Sequence, residues 1–322
     1  MTDTDGLALA TRGLRKSYGK NLALAGLDLS VPVGVVYGFL GPNGAGKTTT
    51  MRLLTGLIHA DGGTIELLGR RFGQGDRHRL FDVGALVESP AFYPYLSGRQ
   101  NLRELAATGA LTPLKRIDEL LDLVGLRDRA GDKVSSYSMG MKQRLGIAAA
   151  LLSDPKLLLL DEPSNGLDPA GIVAMRELLR HLASIGKTVF VSSHILGEVR
   201  QMVDVVGIIA AGRLVREGNI ESLLLGQGIV RARVAPAQVP AAVQAIAAML
   251  PPDAIEPKAD DPGWLDIHVA PERASDVTRV LAEAGIYVSG LEAGSDLESL
   301  FLELTGGSDQ AGVIPTDAGA PR

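Results

Sequence analysis

The sequence contains no cysteine, a single tryptophan, and aromatic residues at only 4% of its 322 positions. Without cysteine there can be no disulfide, no thiolate metal site and no cysteine nucleophile, which accords with a reducing cytoplasm. Basic residues are not in excess: 32 Lys and Arg stand against 37 Asp and Glu, a net charge of −5. That balance gives no global electrostatic case for a nucleic-acid partner. Long apolar runs are also missing, since none approaches the ~18 residues of a membrane helix. The longest, Leu145 to Leu160, is interrupted by Ser153-Asp154-Pro155-Lys156. Any work at a membrane would need another subunit to cross it. The first residues are acidic and not apolar, so no signal peptide is expected. With 46% apolar and 21% charged residues, the chain suits one large globular domain and a small one.

The strongest feature present is Gly41-Pro42-Asn43-Gly44-Ala45-Gly46-Lys47-Thr48-Thr49. It satisfies G-x-x-x-x-G-K-[ST], the pattern of a phosphate-binding loop. The apolar Val35 to Leu40 before it reads as a buried strand, and Thr49 to Leu57 after it as a helix. Strand, glycine loop and helix form the context this motif requires. Glycines let backbone N–H groups close around phosphate, and the helix N-terminus adds partial positive charge. In such a loop Lys47 reaches the β- and γ-phosphates and the Thr48 hydroxyl ligates Mg²⁺.

A second signal is Leu157-Leu158-Leu159-Leu160-Asp161-Glu162. A continuous apolar run predicts a parallel strand buried on both faces, and ligands of such sheets bind at strand carboxyl ends. There Asp161 would hold Mg²⁺ and Glu162 would act as general base toward water. A further strand, Gly186 to Ser193, delivers His194 to the same edge, as a γ-phosphate contact or a structural histidine. Tyr18, beside a turn upstream of the loop, offers either a stacking platform for a base or simple packing.

Elsewhere, Leu7 to Leu14 and Leu22 to Val31 read as an antiparallel pair and Thr64 to Leu68 as a strand. The basic stretch 70–81 reads as a solvated face, because its charges form no single stripe. Val83 to Val87 is a short strand that delivers Glu88, followed by the aromatic loop Phe92-Tyr93-Pro94-Tyr95, a docking surface or a local mini-core. Helices are expected within 97–130 and from Ser138 onward, and Val203 to Gly218 closes as a hairpin.

After Gly226 the order is strand 229–235, helix 239–250, the turn Pro251-Pro252-Asp253, a weak strand 254–258, strand 264–269, helix 273–284, strand 286–291 and helix 296–304. That order matches a split β-α-β plait. No catalytic constellation stands out in it.

Taken in order, these motifs resemble the nucleotide-binding subunit of an ATP-binding-cassette transporter over residues 7–225. The discriminating element is the signature-like Tyr137-Ser138-Met139-Gly140-Met141-Lys142-Gln143. The family's common form is L-S-G-G-Q; here the Ser and second Gly are kept. The resemblance implies an α/β P-loop NTPase cassette with a parallel core sheet, an antiparallel β layer and a helical insertion at about 89–150, followed by a ferredoxin-like α+β domain at 226–305. Flexible ends at 1–6 and 306–322 complete the expected organisation.

It further implies ATP and Mg²⁺, with Tyr18 stacking on adenine, and Gly41, Asn43, Gly44, Ala45, Gly46, Lys47, Thr48 and Thr49 around the phosphates. Metal ligation falls to Thr48, Asp161 and Glu88, where the family usually has Gln; catalysis falls to Glu162, His194 and Lys47. Two cassettes, expected to be identical, would pair head to tail, each ATP capped by Ser138 and Gly140 of the other copy, with Asp168 at their interface. The remaining partner is a separate multi-span permease, at the cytoplasmic face of the membrane, with no nucleic acid involved.

Glu88 with the following Ser-Pro-Ala-Phe-Tyr is similar to cassettes of bacitracin- and lantibiotic-resistance exporters, and the C-terminal segment resembles that of daunorubicin-type export ATPases. Both imply export of an antibiotic, peptide or lipophilic compound. The alternatives are a cassette ATPase without a membrane partner, an uptake cassette, and a nucleotide sensor without turnover.

Overall fold

The computed structural model describes residues 6–88, 90–108, 113–220, 228–251, 254–258 and 261–295. The expectations for residues 1–5, the boundary near 225, the Pro252-Asp253 part of the turn, helix 296–304 and tail 306–322 lie outside them. The chain divides into two compact units, residues 1–218 and 219–322.

The first unit contains two sheets. One is an antiparallel layer in the order β2-β1-β4-β5, built from β1 (Leu7–Tyr18), β2 (Asn21–Pro32), β4 (Gly62–Leu67) and β5 (Arg70–Phe72). The first two strands are longer than the sequence implies. Pairing runs through to Tyr18↔Asn21, so the turn shrinks to Gly19-Lys20, and the register shifts along it are β-bulges. Those bulges absorb polar residues that would otherwise read as loop. Within the basic stretch, Arg70 and Arg71 are exposed while Phe72 is buried.

The other sheet has the order β10-β9-β3-β8-β7-β6. Its members are β3 (Val36–Leu40), β6 (Val83–Leu86), β7 (Leu157–Asp161), β8 (Thr188–Ser193), β9 (Val205–Ala210) and β10 (Arg213–Asn219). The pairs β3/β8, β3/β9, β6/β7 and β7/β8 are all parallel. Every residue of β3, β7 and β8 is buried, which is why these strands are nearly continuous apolar runs. Phe39 and Tyr37 stack on Phe190 at 5.3 Å between centroids. Leu159, Met51, Leu54 and Leu27 join Phe39 in one core shared with the antiparallel layer.

Helix α1 (Lys47–Leu54) follows β3 directly. Helices α2 (Gly98–Thr108), α3 (Leu114–Leu123) and α4 (Met139–Ala150) pack on one another between β6 and β7 in the chain. Helix α5 (Pro169–Ser184) precedes β8 and the short α6 (Leu196–Arg200) follows it. Among the described residues no helix is long and apolar enough to cross a membrane.

Among its described residues the second unit is an antiparallel sheet in the order β12-β13-β11-β14 with helices packed on it. Its elements run β11 (Gly228–Arg233), α7 (Val239–Ala247), β12 (Ile255–Pro257), β13 (Trp264–His268), α8 (Ala274–Glu283) and β14 (Gly290–Ser295). This is the βαββαβ plait. Val230, Ala232, Leu265 and Ile267 face Ala242, Ile246, Val277 and Leu281 of the helices. The last strand begins four residues later than its sequence implies: Ile286 closes the core after α8, and pairing starts at Gly290↔Arg233. Apolar residues there serve the helix-to-strand turn rather than the ladder.

Candidate functional site

Three adjacent strands of the parallel sheet, β3, β8 and β7, end on the residues singled out above. Leu40 pairs with Ser193 and Asp161 with Ser192, so the Gly41 loop, His194 and Asp161-Glu162 emerge at one edge. Neighbouring strands lie only about 4.8 Å apart, which brings residues over 100 positions apart within reach of each other.

The loop's shape follows from its glycines. A Cβ on Gly41 would lie 2.5 Å from the Ile209 carbonyl oxygen, and one on Gly46 would lie 2.8 Å from that of Ala23. Gly46 also has φ 111° at the N-cap of α1. Side chains at either position would push the loop off the protein. The first-turn N–H groups of α1 have no intrahelical partner and face a ligand site.

The Lys47 side chain is 6% exposed; its Nζ donates to the Gly41 carbonyl at 2.7 Å and the Pro42 carbonyl at 3.3 Å. It also lies 3.3 Å from Glu162 Oε1, while His194 Nδ1 lies 2.7 Å from Glu162 Oε2. Lys47, Glu162 and His194 thus form one connected group drawn from α1 and the ends of β7 and β8.

Together with Tyr18, Asn43, Gly44, Gly46, Thr48 and Thr49 they line a cleft of about 600 Å³. That volume lies within the usual range for a small-molecule site of about 300–1,000 Å³. A Cβ on Gly44 would meet nothing within 4 Å, so open space lies over the middle of the loop. Free N–H groups, a buried ammonium and open space over the loop fit a polyphosphate.

Asn21, Leu22, Ala23 and Asn165 also line the cleft and were not singled out from sequence. Asn165 could have been found from its place three residues after Glu162. The others become neighbours of Tyr18 only through the tight turn of the antiparallel layer.

Gly41 and Ala45 of the loop are buried and do not line the cleft, and Asp161 is 5% exposed. Asp161 Oδ1 accepts a 2.5 Å hydrogen bond from Ser192 Oγ, which in turn accepts the Glu162 N–H at 2.9 Å. Glu162 has φ 49°, so Ser192 ties down a left-handed residue at the head of the site. Sequence reasoning passed over Ser192, because nothing in a serine at a strand end marks it until the β7/β8 register is known.

Glu88 stands on Arg52 of α1, whose Nε donates to Glu88 Oε1 at 3.1 Å and whose Nη2 also donates to it. Ser138 is the N-cap of α4, its side chain accepting the Met141 N–H at 3.2 Å; Asp168 caps α5 and accepts the Gly171 N–H at 3.1 Å. Gly140 approaches Leu167, so the signature and the 164–168 turn adjoin. Ser138, Gly140 and Asp168 lie outside the cleft lining of their own chain.

The sequence profile of the ABC transporter family matches residues 24–165. A bacitracin transport ATP-binding protein of Bacillus licheniformis is 48% identical over 65% of this chain and 69% of its own length. A lantibiotic transport ATP-binding protein of Streptococcus pyogenes is 41% identical over 68% of this chain and 96% of its own length. Among solved structures, a dimeric post-hydrolysis state of an ATP-binding cassette bound to ADP and phosphate superposes with a TM-score of 0.59 at 25% identity, covering 66% of this chain and 98% of that one. With a phosphate cradle, a lysine and the Glu162 carboxylate at one sheet edge, and with these relatives, the chain belongs to the ABC transporter family as an ATP-binding protein with ATPase activity.

Proposed function

We propose that this chain is the motor subunit of an export system for an antibiotic, peptide or lipophilic compound. It would work at the cytoplasmic face of the membrane with a separate multi-span permease. The observation that carries the reading is the Lys47–Glu162–His194 group at the mouth of the phosphate cleft. The export direction and cargo class rest on the bacitracin and lantibiotic relatives.

ATP would enter with adenine on the Tyr18 ring and its phosphates on the N–H groups of residues 43–49. Lys47 then exchanges the Gly41 and Pro42 carbonyls for phosphate oxygens. Thr48 and Asp161 would hold Mg²⁺, with Glu88 as a third ligand; the ion neutralises charge on the phosphate oxygens. Freed from Lys47, Glu162 accepts a proton from water as the water oxygen bonds to the γ-phosphorus. The bond to the bridging oxygen breaks, leaving ADP and phosphate. His194 stays on Glu162 through Nδ1, and Nε2 would meet the γ-phosphate.

A second copy of the chain would cap the nucleotide with Ser138 and Gly140, which their own chain leaves outside its cleft. Closure and reopening couple to the permease as differential affinity for two conformations. The permease would dock where Tyr93 and Tyr95 expose 54% and 65% of their surface, beside a cavity of about 390 Å³ lined by Phe92, Leu105 and Gly146. Asn101 anchors this loop, accepting the Tyr93 N–H at 2.8 Å.

The test is Mg²⁺-dependent ATPase activity of the chain beside Glu162→Gln, with size-exclusion chromatography with and without ATP. Turnover in the parent and an ATP-held dimer in the variant are expected. Unimpaired hydrolysis by Glu162→Gln would remove Glu162 from its role.

A further inference from the structure

The ion pair between Arg52 and Glu88 is unused in the mechanism above. Arg52 is four residues after Thr48 on α1, so the two side chains share one helix face about 6 Å apart along the axis. Both are partly exposed, whereas Thr50, Met51 and Leu53 between and beyond them are buried. Arg52 holds Glu88 through Nε and Nη2 on a single carboxylate oxygen. Glu88 itself sits at φ 66°, a left-handed conformation that L-residues rarely adopt. Glutamine, neutral at this position, could not form the charged pair. Glutamate therefore adds an ion pair with Arg52 as well as a charged ligand.

We propose that Arg52 is a latch on Glu88: it parks the carboxylate one helical turn from Thr48, and the metal accompanying ATP must take the carboxylate away from it. Arg52 thereby sets the Mg²⁺ concentration at which nucleotide binding tightens. It is a positioning residue, acting only through Glu88. The inference rests on the proposed role of Glu88 as a metal ligand. The Arg52 guanidinium is further held charged, first by its bond to Glu88 and then by smaller contributions that include the Tyr18 hydroxyl.

The pair is exposed by 40% on Arg52 and 55% on Glu88. Pairs of that exposure are weak, so the latch is a bias that a metal ion can overcome.

The experiment measures equilibrium binding of a non-hydrolysable ATP analogue to the full chain at rising Mg²⁺, for the parent, Arg52→Gln, Glu88→Gln and the double variant. Arg52→Gln is expected to lower the Mg²⁺ midpoint about two- to fivefold, leaving metal-free affinity unchanged. In the Glu88→Gln background the same substitution is expected to do nothing. An unchanged midpoint in Arg52→Gln, or a shift that persists without Glu88, overturns the latch. Weaker metal-free binding in Arg52→Gln also overturns it and assigns Arg52 to the Tyr18 platform. Glu88→Ala, which unlike Glu88→Gln removes the metal-facing oxygen altogether, is measured beside them; if it leaves the midpoint at the parental value, Glu88 is no metal ligand and the underlying reading fails first. Circular dichroism confirms that each variant is folded; Arg52→Lys, which keeps the charge but loses the fork, should fall between parent and Arg52→Gln.

Discussion

The two units both cover a sheet with helices, yet among the described residues it is the first that gathers the phosphate-loop lysine, Glu162 and His194 in one cleft. Its core sheet is parallel around β3, β8 and β7, so three strands finish at one edge and deliver Gly41, His194 and Asp161-Glu162 together. The second unit is antiparallel throughout, so neighbouring strands finish at opposite edges. Its charged residues meet across strands instead. Asp266 on β13, 4% exposed, is paired with Arg231 on β11 at 3.2 Å and Lys258 at 2.8 Å. That cluster pairs a buried carboxylate with two cations locally, while Glu162 of the first unit stands at the mouth of a cleft. Strand direction, more than composition, separates a reactive edge from a structural one.

Substitutions at the two places should therefore fail differently. Glu162→Gln is expected to lower kcat by about 10²–10⁴-fold, the usual worth of a general base, with ATP affinity retained; steady-state kinetics beside nucleotide binding checks it. Ser192→Ala removes the bridge between Asp161 and the Glu162 N–H. It should cost the first unit about 1.5–3 kcal/mol, as for a bond to a charged group, and reduce kcat together with stability. A urea melt with a first-unit probe and an ATPase assay measure the two. Asp266→Asn should destabilise only the second unit, by about 1–2 kcal/mol, because Arg231 and Lys258 can return to water. Nucleotide affinity should not change; if it does, the contrast between the units is wrong.

The smallest effect belongs to Asp154, which joins Arg116 of α3 at 2.9 Å to Lys187 at 2.8 Å. Chiefly its hydrogen bond to Lys187 holds this carboxyl below its ordinary value of 3.8. A depressed carboxyl contributes stability in full above the unfolded-state value and loses it as pH falls through the folded one. Asp154→Asn should therefore lower stability slightly at pH 7 and flatten the acid limb below pH ~4. With Asp154 71% exposed, solvent screening keeps the effect small. Acid melts of parent and variant compare the two directly.

How much of this was legible in sequence depended on distance along the chain. The Gly41–Thr49 loop is local: strand, glycines, lysine and helix all lie between Val36 and Leu54, and each is present, the helix starting at Lys47 and ending at Leu54 rather than running from Thr49 to Leu57. Asp161 and Glu162 were legible because Leu157–Leu160 has the apolar continuity of a doubly covered strand. Ser192 and Arg52 were not, since a serine 31 residues away and an arginine 36 residues away acquire partners only through register and helix phase. The plait of the second unit was readable from element order, but β14 was misplaced by four residues. The apolar Ile286 and Val288 there pack beneath α8 rather than in the ladder.

Glu88 and Glu162 both carry left-handed backbone, with φ of 66° and 49°, where glycine would rest without strain. A laboratory selection for heat resistance alone would find glycine tolerable at both positions and would have no reason to keep either carboxylate. Variants enriched that way would score well in a stability assay, yet they would lack the two carboxylates to which the proposed function assigns metal binding and water activation. Screens on this chain should therefore score turnover alongside survival.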